Sequence, residues 1–365
     1  KSYCSYNPTI FKSKLGVNSY NLGGQGQVLE ITDFVITETA LKTKPKLVVV
    51  DLSYKMITFD QNDSLAQRSK SYQLKIFDNF KLSLNKLNII DAVYNMDQLT
   101  SIATPLVRNH ESWNQVFKLN YKKEFLEERN NLFLYNNGYI GTLQSMNDSG
   151  KKFAKDMDLG YDTLKKKSNL KVSKSEFDVI KKIHKQCTEN NIPILFVTAP
   201  SIQGYVAELS YYEHLGKLCK DYGMDYINLN KDLEAIGITP DDFKDIQHMN
   251  YSGGYKTSNF LSKHILENYS FNEKQSINNL DNNVTFHMLS KLKYANELVA
   301  KDFNFNNGIK LDAISYFQES GNRYVFMFKL DKNVTQNLLD NHRGYLRYYV
   351  DEISDENKEV NSFPL

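Results

Sequence analysis

Short apolar runs that alternate with amphipathic segments constrain the fold of this chain more than any other feature of its sequence. The runs are "KPKLVVVDLSY" (44–54), "IPILFVTAPS" (192–201) and "MDYINLN" (224–230). The first contains β-branched residues without strict polar–apolar alternation, which is typical of a strand buried on both faces of a parallel sheet. We therefore expect all three runs to form strands of one such sheet. Residues 15–20 are expected to form a further short strand.

The segments between these runs have the pattern of connecting helices. Residues 173–191 open with a capping box, Ser173 to Glu176, and continue with apolar residues at helical spacing. Residues 211–223 have the pattern of a second helix. Strands that alternate with helices in this way predict an α/β fold with a doubly wound parallel sheet, in which ligands bind at the carboxyl ends of the strands.

Composition divides the chain into three parts. Residues 1–54 and 171–270 carry the strand and helix pattern of the α/β domain, whereas residues 55–170 are polar, rich in Lys and Asn, and predicted to be a mainly helical insertion. In residues 271–365, two aromatic-rich runs joined by a Gly-Asn turn predict a β-rich C-terminal module. The insertion is expected to flank or cover the sheet.

The overall composition is that of an ordinary globular protein. Of 365 residues, 41% are hydrophobic and 24% charged, and a net charge of +2 argues against a nucleic-acid-binding protein that works through bulk charge. No apolar run reaches the roughly 18 residues that a membrane-spanning helix needs. The cysteines, Cys4, Cys187 and Cys219, form no CxxC pair. We therefore predict neither a metal site nor a cofactor.

The strongest chemical motif is "DDFKDIQHMNYSGGYK", in which Asp245 and His248 are three residues apart. At that offset a carboxylate can bond one imidazole nitrogen, fix the tautomer and leave the other nitrogen as a general base. The bare pattern is common and also describes a loop Asp beside a surface His. Here it follows the last predicted strand and precedes a predicted helix, so we expect it at the carboxyl edge of the sheet.

A glycine-rich corner, "YNLGGQGQ" (20–27), precedes an amphipathic segment. Together with "KPKLVVVDLSY", "IPILFVTAPS" and "DIQHMNYSGGYK" it resembles, in that order, the SGNH (GDSL-like) hydrolase superfamily. The closest resemblance is to its cell-surface branch, which works with membrane-bound O-acyltransferases on polysaccharides and teichoic acids. The resemblance covers roughly residues 1–270 and implies a flavodoxin-like, doubly wound α/β fold. It also implies a catalytic triad with Asp245 and His248 as two members.

The nucleophile departs from the family pattern. The family serine belongs to a Gly-x-Ser element, and alignment on Asn7-Pro8 places it just upstream of Lys1. Within the chain, Ser2 is the nearest substitute and Ser5 the next, but neither follows a glycine. Cys4 is a further alternative, although nothing near it in the sequence lowers a thiol pKa. Lys1 is expected at the carboxyl edge of the sheet, near His248.

The resemblance also assigns the glycine-rich corner. In the family, a glycine after the second strand supplies a backbone N–H to the oxyanion hole, and Gly23 or Gly24 matches that place. The alternative is that these glycines only allow a tight turn. The second donor in the family is an Asn side chain after the third strand, where this sequence has Asp51, Ser53 and Tyr54.

Substrate-binding candidates come from two places. "PLVRNHESWNQV" resembles a His-x-x-Trp element of the same branch, which assigns His110 and Trp113 to the acyl or sugar site. For both residues, a packing role at a helix boundary is the alternative. Asn250, beside the dyad, is the third candidate.

The resemblance implies a serine acyltransferase or esterase that acts on acyl groups, O-acetyl above all, of a bacterial cell-envelope polysaccharide or teichoic acid. A membrane-bound O-acyltransferase is the expected protein partner. The expected location is the extracellular face of a bacterial membrane, with an N-terminal anchor upstream of this chain. The alternative is a non-catalytic glycan-binding or scaffold protein that kept the fold and lost the serine.

The resemblance does not extend to the C-terminal module, which is rich in aromatic residues. Tyr324, Phe326 and Phe328 alternate along one predicted strand and share one face. We expect this face to belong to a small sandwich core or to a surface that docks on the α/β domain, with sugar binding as the alternative. The module as a whole is expected to pack against the α/β domain.

Overall fold

The computed structural model describes residues 2–54, 74, 76–93, 133–142, 146, 170–206, 208–271, 297–304, 310–320, 323–330, 345–346 and 363–364. The chain divides into two compact units, Lys1–Asp281 and Asn282–Leu365. Lys1, His110 and Trp113 lie outside the described residues, as does the Gly-Asn pair at 321–322.

Ten α-helices are described in the first unit, together with two short 3-10 helices, Leu229–Lys231 and Pro240–Asp242. The α-helices are α1 (Ser2–Ser5), α2 (Pro8–Leu15), α3 (Leu29–Glu38), α4 (Ala40–Thr43), α5 (Leu84–Val93), α6 (Lys174–Glu189), α7 (Ile202–Val206), α8 (Leu209–Asp221), α9 (Leu233–Ile236) and α10 (Tyr251–Asn268). In the part of the chain that the structure describes, no helix has the length and apolar character needed to cross a membrane.

The described strands belong to four small sheets. They are β1 (Val48–Asp51), β2 (Phe133–Asn136), β3 (Tyr139–Thr142), β4 (Ile194–Thr198), β5 (Tyr226–Asn228), β6 (Glu297–Asn304), β7 (Lys310–Ser320), β8 (Arg323–Leu330), β9 (Tyr345–Leu346) and β10 (Phe363–Pro364). The chain is therefore a mixed α/β protein.

A parallel three-stranded sheet in the order β1-β4-β5 forms the centre of the first unit. Val50 pairs with Phe196 across β1 and β4, and Val197 pairs with Ile227 across β4 and β5. All three predicted strands are confirmed. In this parallel arrangement the carboxyl ends of the strands lie at one edge, and their following loops share that edge.

Helices cover both faces of the sheet. On one face, Ile194 and Phe196 pack into an apolar cluster with residues of α3, α6 and α8. On the other, Leu195 and Val197 pack with residues of α2 and α10. Because both faces are buried, apolar residues occupy successive positions of β4, which explains its unalternated sequence.

The N-terminal residues correct one sequence expectation. Residues 15–20 do not form a strand: Leu15 is the last residue of α2, and Gly16 ends that helix in the left-handed region with φ 69°. The segment begins at a good N-cap, since the Asn7 side chain accepts a hydrogen bond from the Thr9 amide. The backbone N–H of Asn7 donates a hydrogen bond to Ser258 Oγ at 2.9 Å, which fixes α2 to α10.

The described part of the insertion contains α5 and a hairpin that the sequence did not predict. Strands β2 and β3 pair in antiparallel fashion, and the turn residues Asn137 and Gly138 both have positive φ, as a type I′ turn requires. The Asn137 carbonyl accepts a hydrogen bond from the Asn21 amide at 2.8 Å. The hairpin therefore abuts the glycine-rich corner.

The second unit has the predicted β character. Strands β6, β7 and β8 form an antiparallel sheet, and Phe326 pairs with Tyr316 across β7 and β8. Strands β9 and β10 pair in antiparallel fashion as well. The role of the aromatic residues in β8 remains a prediction.

We expect replacement of Phe196 to test the central packing. Its side chain is fully buried in the cluster formed with α3, α6 and α8. Phe196→Ala is predicted to lower the free energy of unfolding by about 3–5 kcal/mol, since it leaves a cavity in the core. Leu266→Ala is the control because this side chain is 50% exposed, and it should change the value by less than about 0.5 kcal/mol. Equal losses in urea denaturation would contradict the assigned core.

Candidate active site

A short loop carries Asp245 and His248 beyond the last strand of the parallel sheet. An antiparallel bridge between Phe243 and Met249 closes the loop, and the Lys244 amide donates to the His248 carbonyl at 2.9 Å. Phe243 and Met249 are both buried. The loop therefore stands on an apolar base that holds its backbone in place.

The predicted contact between the two residues is present. Both carboxylate oxygens of Asp245 lie 3.0 Å from Nδ1 of His248. The same carboxylate accepts backbone hydrogen bonds from Gln247 at 2.8 Å and from His248 at 2.9 Å. Because a carboxylate only accepts, Nδ1 carries the proton, which leaves Nε2 of a neutral imidazole with a lone pair.

The environment of Asp245 favours its ionised form. Burial alone would raise the pKa of this carboxyl, but the hydrogen bond and charge of His248, with the amides of Gln247 and His248, outweigh burial and lower it. The carboxylate thus stays charged and can stabilise a protonated His248. This arrangement suits a base that gains and releases a proton.

Asn250 has a structural place in the fold. It is the N-cap of α10: its side-chain oxygen accepts from the Gly253 amide at 3.1 Å, and its Nδ2 donates to the Asp241 carbonyl at 2.6 Å. The side chain is buried and is not among the residues that line the cavity described next. The predicted contact of Asn250 with substrate therefore has no geometric counterpart in the described residues.

His248 opens onto a cavity of about 880 Å³. Ser2, Tyr3, Gly23 and Gly24 line the same cavity, so four of the predicted site residues, including His248, share it. The rings of Tyr3 and His248 lie 5.9 Å apart. The His248 side chain is 30% exposed, which leaves it accessible to a ligand.

Ser2 lies against the glycine-rich corner. A Cβ atom at Gly23 would come within 1.9 Å of Ser2 Oγ and 3.1 Å of Ser2 Cβ, so a larger residue there would require the Ser2 side chain to move. Among the described contacts, no hydrogen bond joins Ser2 Oγ to the His248 ring. Ser2 therefore shares the cavity with the dyad without forming the third link of a triad.

Asn21, which the sequence analysis did not select, organises the corner. Its Nδ2 donates to the carbonyls of Ser2 at 2.7 Å and Tyr6 at 2.9 Å, and its Oδ1 accepts the Gly23 amide at 3.0 Å. The Gly24 amide donates to Gln27 Oε1 at 2.7 Å. Both candidate oxyanion donors are thus engaged by side-chain amides. The only sequence signal for Asn21 was its place in the quoted corner.

The structure also places Cys4 and the three residues considered for the second oxyanion donor. Cys4 is buried, its pKa is raised by that burial, and it does not line the cavity, so its thiol is poorly suited to nucleophilic attack. Asp51 is the last residue of β1 and Ser53 and Tyr54 follow it, and all three line the cavity. Asp51 accepts a hydrogen bond from the Ala199 amide at 3.2 Å, which ties the ends of β1 and β4 together.

Apolar side chains of several elements also line the cavity. They include Leu47 and Val49 at β1, Val35 of α3 and Phe11 of α2. Val49 is 37% exposed, an unusual value for a valine in a central-sheet strand. Among the described strands, β1 pairs with β4 alone.

Comparison with known proteins gives no relative to set beside this geometry. No family model, no curated protein and no solved structure matches the chain. Within the described ranges, no group of three or more His, Cys, Asp and Glu side chains is placed to hold a metal ion.

Removal of the imidazole should change the titration of its partner. In His248→Ala, we expect the pKa of Asp245 to rise, because the hydrogen bond and the charge that lower it are lost while burial remains. Carbon-13 NMR of the Asp245 carboxyl measures this shift. His264→Ala, on α10 and outside the cavity lining, is the control. An Asp245 pKa that is the same in both variants would contradict the contact.

Proposed function

We propose that the chain is the catalytic part of an SGNH-type serine acyltransferase or esterase. The observation that carries this proposal is the Asp245–His248 pair, with Nδ1 bound to the carboxylate and the ring opening onto a cavity. This is the arrangement that a general base in acyl transfer needs. The glycine-rich corner in the same cavity adds support.

In the proposed reaction His248 moves the proton. Its Nε2 takes the hydroxyl proton of the attacking serine as the new C–O bond forms, and returns it to the leaving alcohol as the old ester bond breaks. The acyl-serine is then attacked by water or by an acceptor hydroxyl in the same way. The serine is either Ser2 or a residue just upstream of Lys1. This chemistry needs neither a metal nor a cofactor.

The oxyanion donor requires one rearrangement. The Gly23 amide can serve the developing oxyanion only when it is released from Asn21 Oδ1. An anionic acceptor forms a stronger hydrogen bond than a neutral amide oxygen, so the transition state favours this exchange. A small movement of Asn21 on substrate binding is therefore part of the proposal.

The finer fold proposal is a doubly wound SGNH-like sheet with a further strand beside β1. In β1 the amides of Val48 and Leu52 donate to β4, at 2.9 Å and 2.7 Å. Strand geometry then directs the N–H and C=O groups of Val49 away from β4, and Val49 is one of the residues that line the cavity. A parallel strand between the two helix layers would satisfy these groups, whereas a hydrocarbon ligand would not.

The resemblance supplies the wider context of the proposal. The substrate is an O-acylated cell-envelope polysaccharide or teichoic acid, and the partner is a membrane-bound O-acyltransferase. The site of action is the extracellular face of a bacterial membrane. His110 and Trp113 are proposed to contact the acyl group or the sugar.

One observation favours a second candidate function, a non-catalytic glycan-binding or scaffold protein. The amides of Gly23 and Gly24 are both occupied, and Ser2 is not bonded to His248. In this second function, the only role of the glycine-rich corner is to hold α1 in place. Detection of turnover decides between the two candidates.

Serine labelling tests the proposed function. On the full-length protein, a fluorophosphonate should label one serine, and His248→Ala should slow labelling by about 1,000-fold because the serine loses its base. Mass spectrometry of the labelled peptide identifies the residue. His264→Ala should label at the parental rate. Absence of labelling and of acetyl-ester turnover in the parent protein would leave only the scaffold function.

Comparison of two serines separates the nucleophile candidates. If Ser2 is the nucleophile, Ser2→Ala abolishes labelling, whereas Ser5→Ala, which removes a buried hydroxyl in the same helix, preserves it. If the serine lies upstream of Lys1, both variants remain labelled. Loss of labelling in both variants would point to damage to α1 and calls for the labelled peptide to be sequenced.

Hydrogen exchange tests the further strand. If a further strand accepts its hydrogen bond, we expect the Val49 amide to exchange at least about 100-fold more slowly than an unbonded amide of the same sequence. The Val48 amide, which already donates to Pro193, is the internal control. Exchange of Val49 at the rate of an unbonded amide, while Val48 is protected, would contradict the added strand.

A further inference from the structure

A continuous chain of hydrogen bonds runs from the end of β1 to the residue beside His248. The Tyr54 amide donates to the Tyr212 hydroxyl at 3.0 Å, and that hydroxyl donates to Glu208 Oε2 at 2.8 Å. Glu208 Oε1 accepts from Gln203 Nε2 at 2.9 Å, and Gln203 Oε1 accepts from Gln247 Nε2. Every donor in this chain points toward the Glu208 carboxylate.

The chain also fixes the backbone of the dyad loop. The Gln203 amide donates to the Ile246 carbonyl at 3.1 Å, so α7 holds the Asp245–His248 loop through both main chain and side chain. Glu208 is only 4% exposed, and Tyr212 is buried in the apolar cluster that Phe196 forms with α3, α6 and α8. The end of the chain opposite Gln247 is therefore rigid.

The Glu208 carboxylate determines which way the two amides face. A glutamine side chain can present either its oxygen or its NH₂ group to a neighbour, but a carboxylate only accepts. Gln203 must therefore turn its NH₂ toward Glu208 and its oxygen toward Gln247. Gln247 must then donate from its NH₂ group to the Gln203 oxygen. This leaves the side-chain oxygen of Gln247, Oε1, pointing away from Gln203.

Gln203, Glu208, Gln247 and His248 all line the cavity. Among the described contacts, the Gln247 side chain makes the hydrogen bond to Gln203 alone, which leaves its Oε1 able to accept from a ligand. An acceptor at this place suits a ligand group that donates a hydrogen bond. Hydroxyl groups of sugars and polyols are such donors.

We infer that Gln247, oriented by Glu208 through Gln203, forms a specificity site that accepts a hydrogen bond from a sugar or polyol hydroxyl beside His248. Binding at this site does not depend on catalysis. The further statement that the bound hydroxyl belongs to the acyl acceptor rests on the proposed function. Glu208 and Gln203 are positioning residues, since they act on the ligand through Gln247.

The substitution Glu208→Gln should reverse the whole chain. The Tyr212 hydroxyl accepts from Tyr54 and must donate, so the oxygen of the new amide faces Tyr212 and its NH₂ faces Gln203. Gln203 then presents NH₂ to Gln247, and Gln247 turns its oxygen away from the ligand. One misoriented hydrogen bond of about 1.4 kcal/mol corresponds to an about tenfold loss of affinity.

Exchange of the two residues at positions 203 and 208 should restore the orientation of the Gln247 side chain. This variant has the same composition and net charge as the parent protein. In Glu208→Gln/Gln203→Glu, the carboxylate lies next to Gln247 and again accepts its NH₂. The new amide at position 208 donates to that carboxylate and accepts from the Tyr212 hydroxyl, so every group in the chain keeps a partner. Affinity should return to within about threefold of the parent protein. Glu213→Gln, on the exposed side of α8, is the charge-matched control and should bind as the parent does.

Binding of methyl α-D-glucopyranoside, followed by NMR shifts of the Gln247 side-chain amide and the His248 ring, tests the inference. We expect saturable shifts in the parent, an about tenfold weaker affinity in Glu208→Gln, and recovery in the double variant. No saturable shift in the parent, or equal affinity in parent and Glu208→Gln, would overturn the inference. Thermal unfolding of each variant verifies that it is folded.

A second arm separates this inference from the proposed function. With p-nitrophenyl acetate as donor and glycerol as added acceptor, the ratio of glyceryl acetate to acetate should fall about tenfold in Glu208→Gln and recover in the double variant. Sugar binding without any ester turnover in the parent protein would reject the proposed function and keep the specificity site. An unchanged ratio in an active Glu208→Gln variant would overturn the specificity site and keep the proposed function.

Discussion

Burial of β4 between two helix layers is the constraint on which the rest of the structure depends. Phe196 packs on one face of the sheet and Val197 on the other, so the position of the strand between the two helix layers is fixed. The loops after β1, β4 and β5 then emerge at the carboxyl edge. One of them leads to α7, whose Gln203 holds the loop of Asp245 and His248. Apolar packing thus positions polar chemistry that it does not contact.

The sequence was most informative where structure is set locally or by burial. The three strands and the Ser173 capping box follow from short patterns, and the Asp245–His248 contact follows from an offset of three residues. Three other features depend on partners that are distant in the sequence. They are the helical conformation of residues 8–15, the β2–β3 hairpin and the role of Asn21. Asn21, for example, contacts Ser2, Tyr6 and the hairpin turn, and no local pattern encodes those contacts.

The two sides of the cavity are held in different ways. The dyad side is built from hydrogen bonds to two carboxylates: Asp245 accepts from its loop amides, and the buried Glu208 accepts from Gln203. The opposite side depends on Asn21, a partly buried amide that holds Ser2 and Gly23 at once. An exchange of partners at Asn21 alters only neutral hydrogen bonds, so this side can adapt to a ligand at lower cost than the dyad side.

The protonation of His248 decides whether the pair can act as a base. Nitrogen-15 NMR of the imidazole, with long-range proton correlations, reports which ring nitrogen carries the proton in the neutral form. We predict a proton on Nδ1, held by Asp245, and an unprotonated Nε2. A neutral His248 with its proton on Nε2 would contradict the role of general base, because that nitrogen could not accept the proton of an attacking serine.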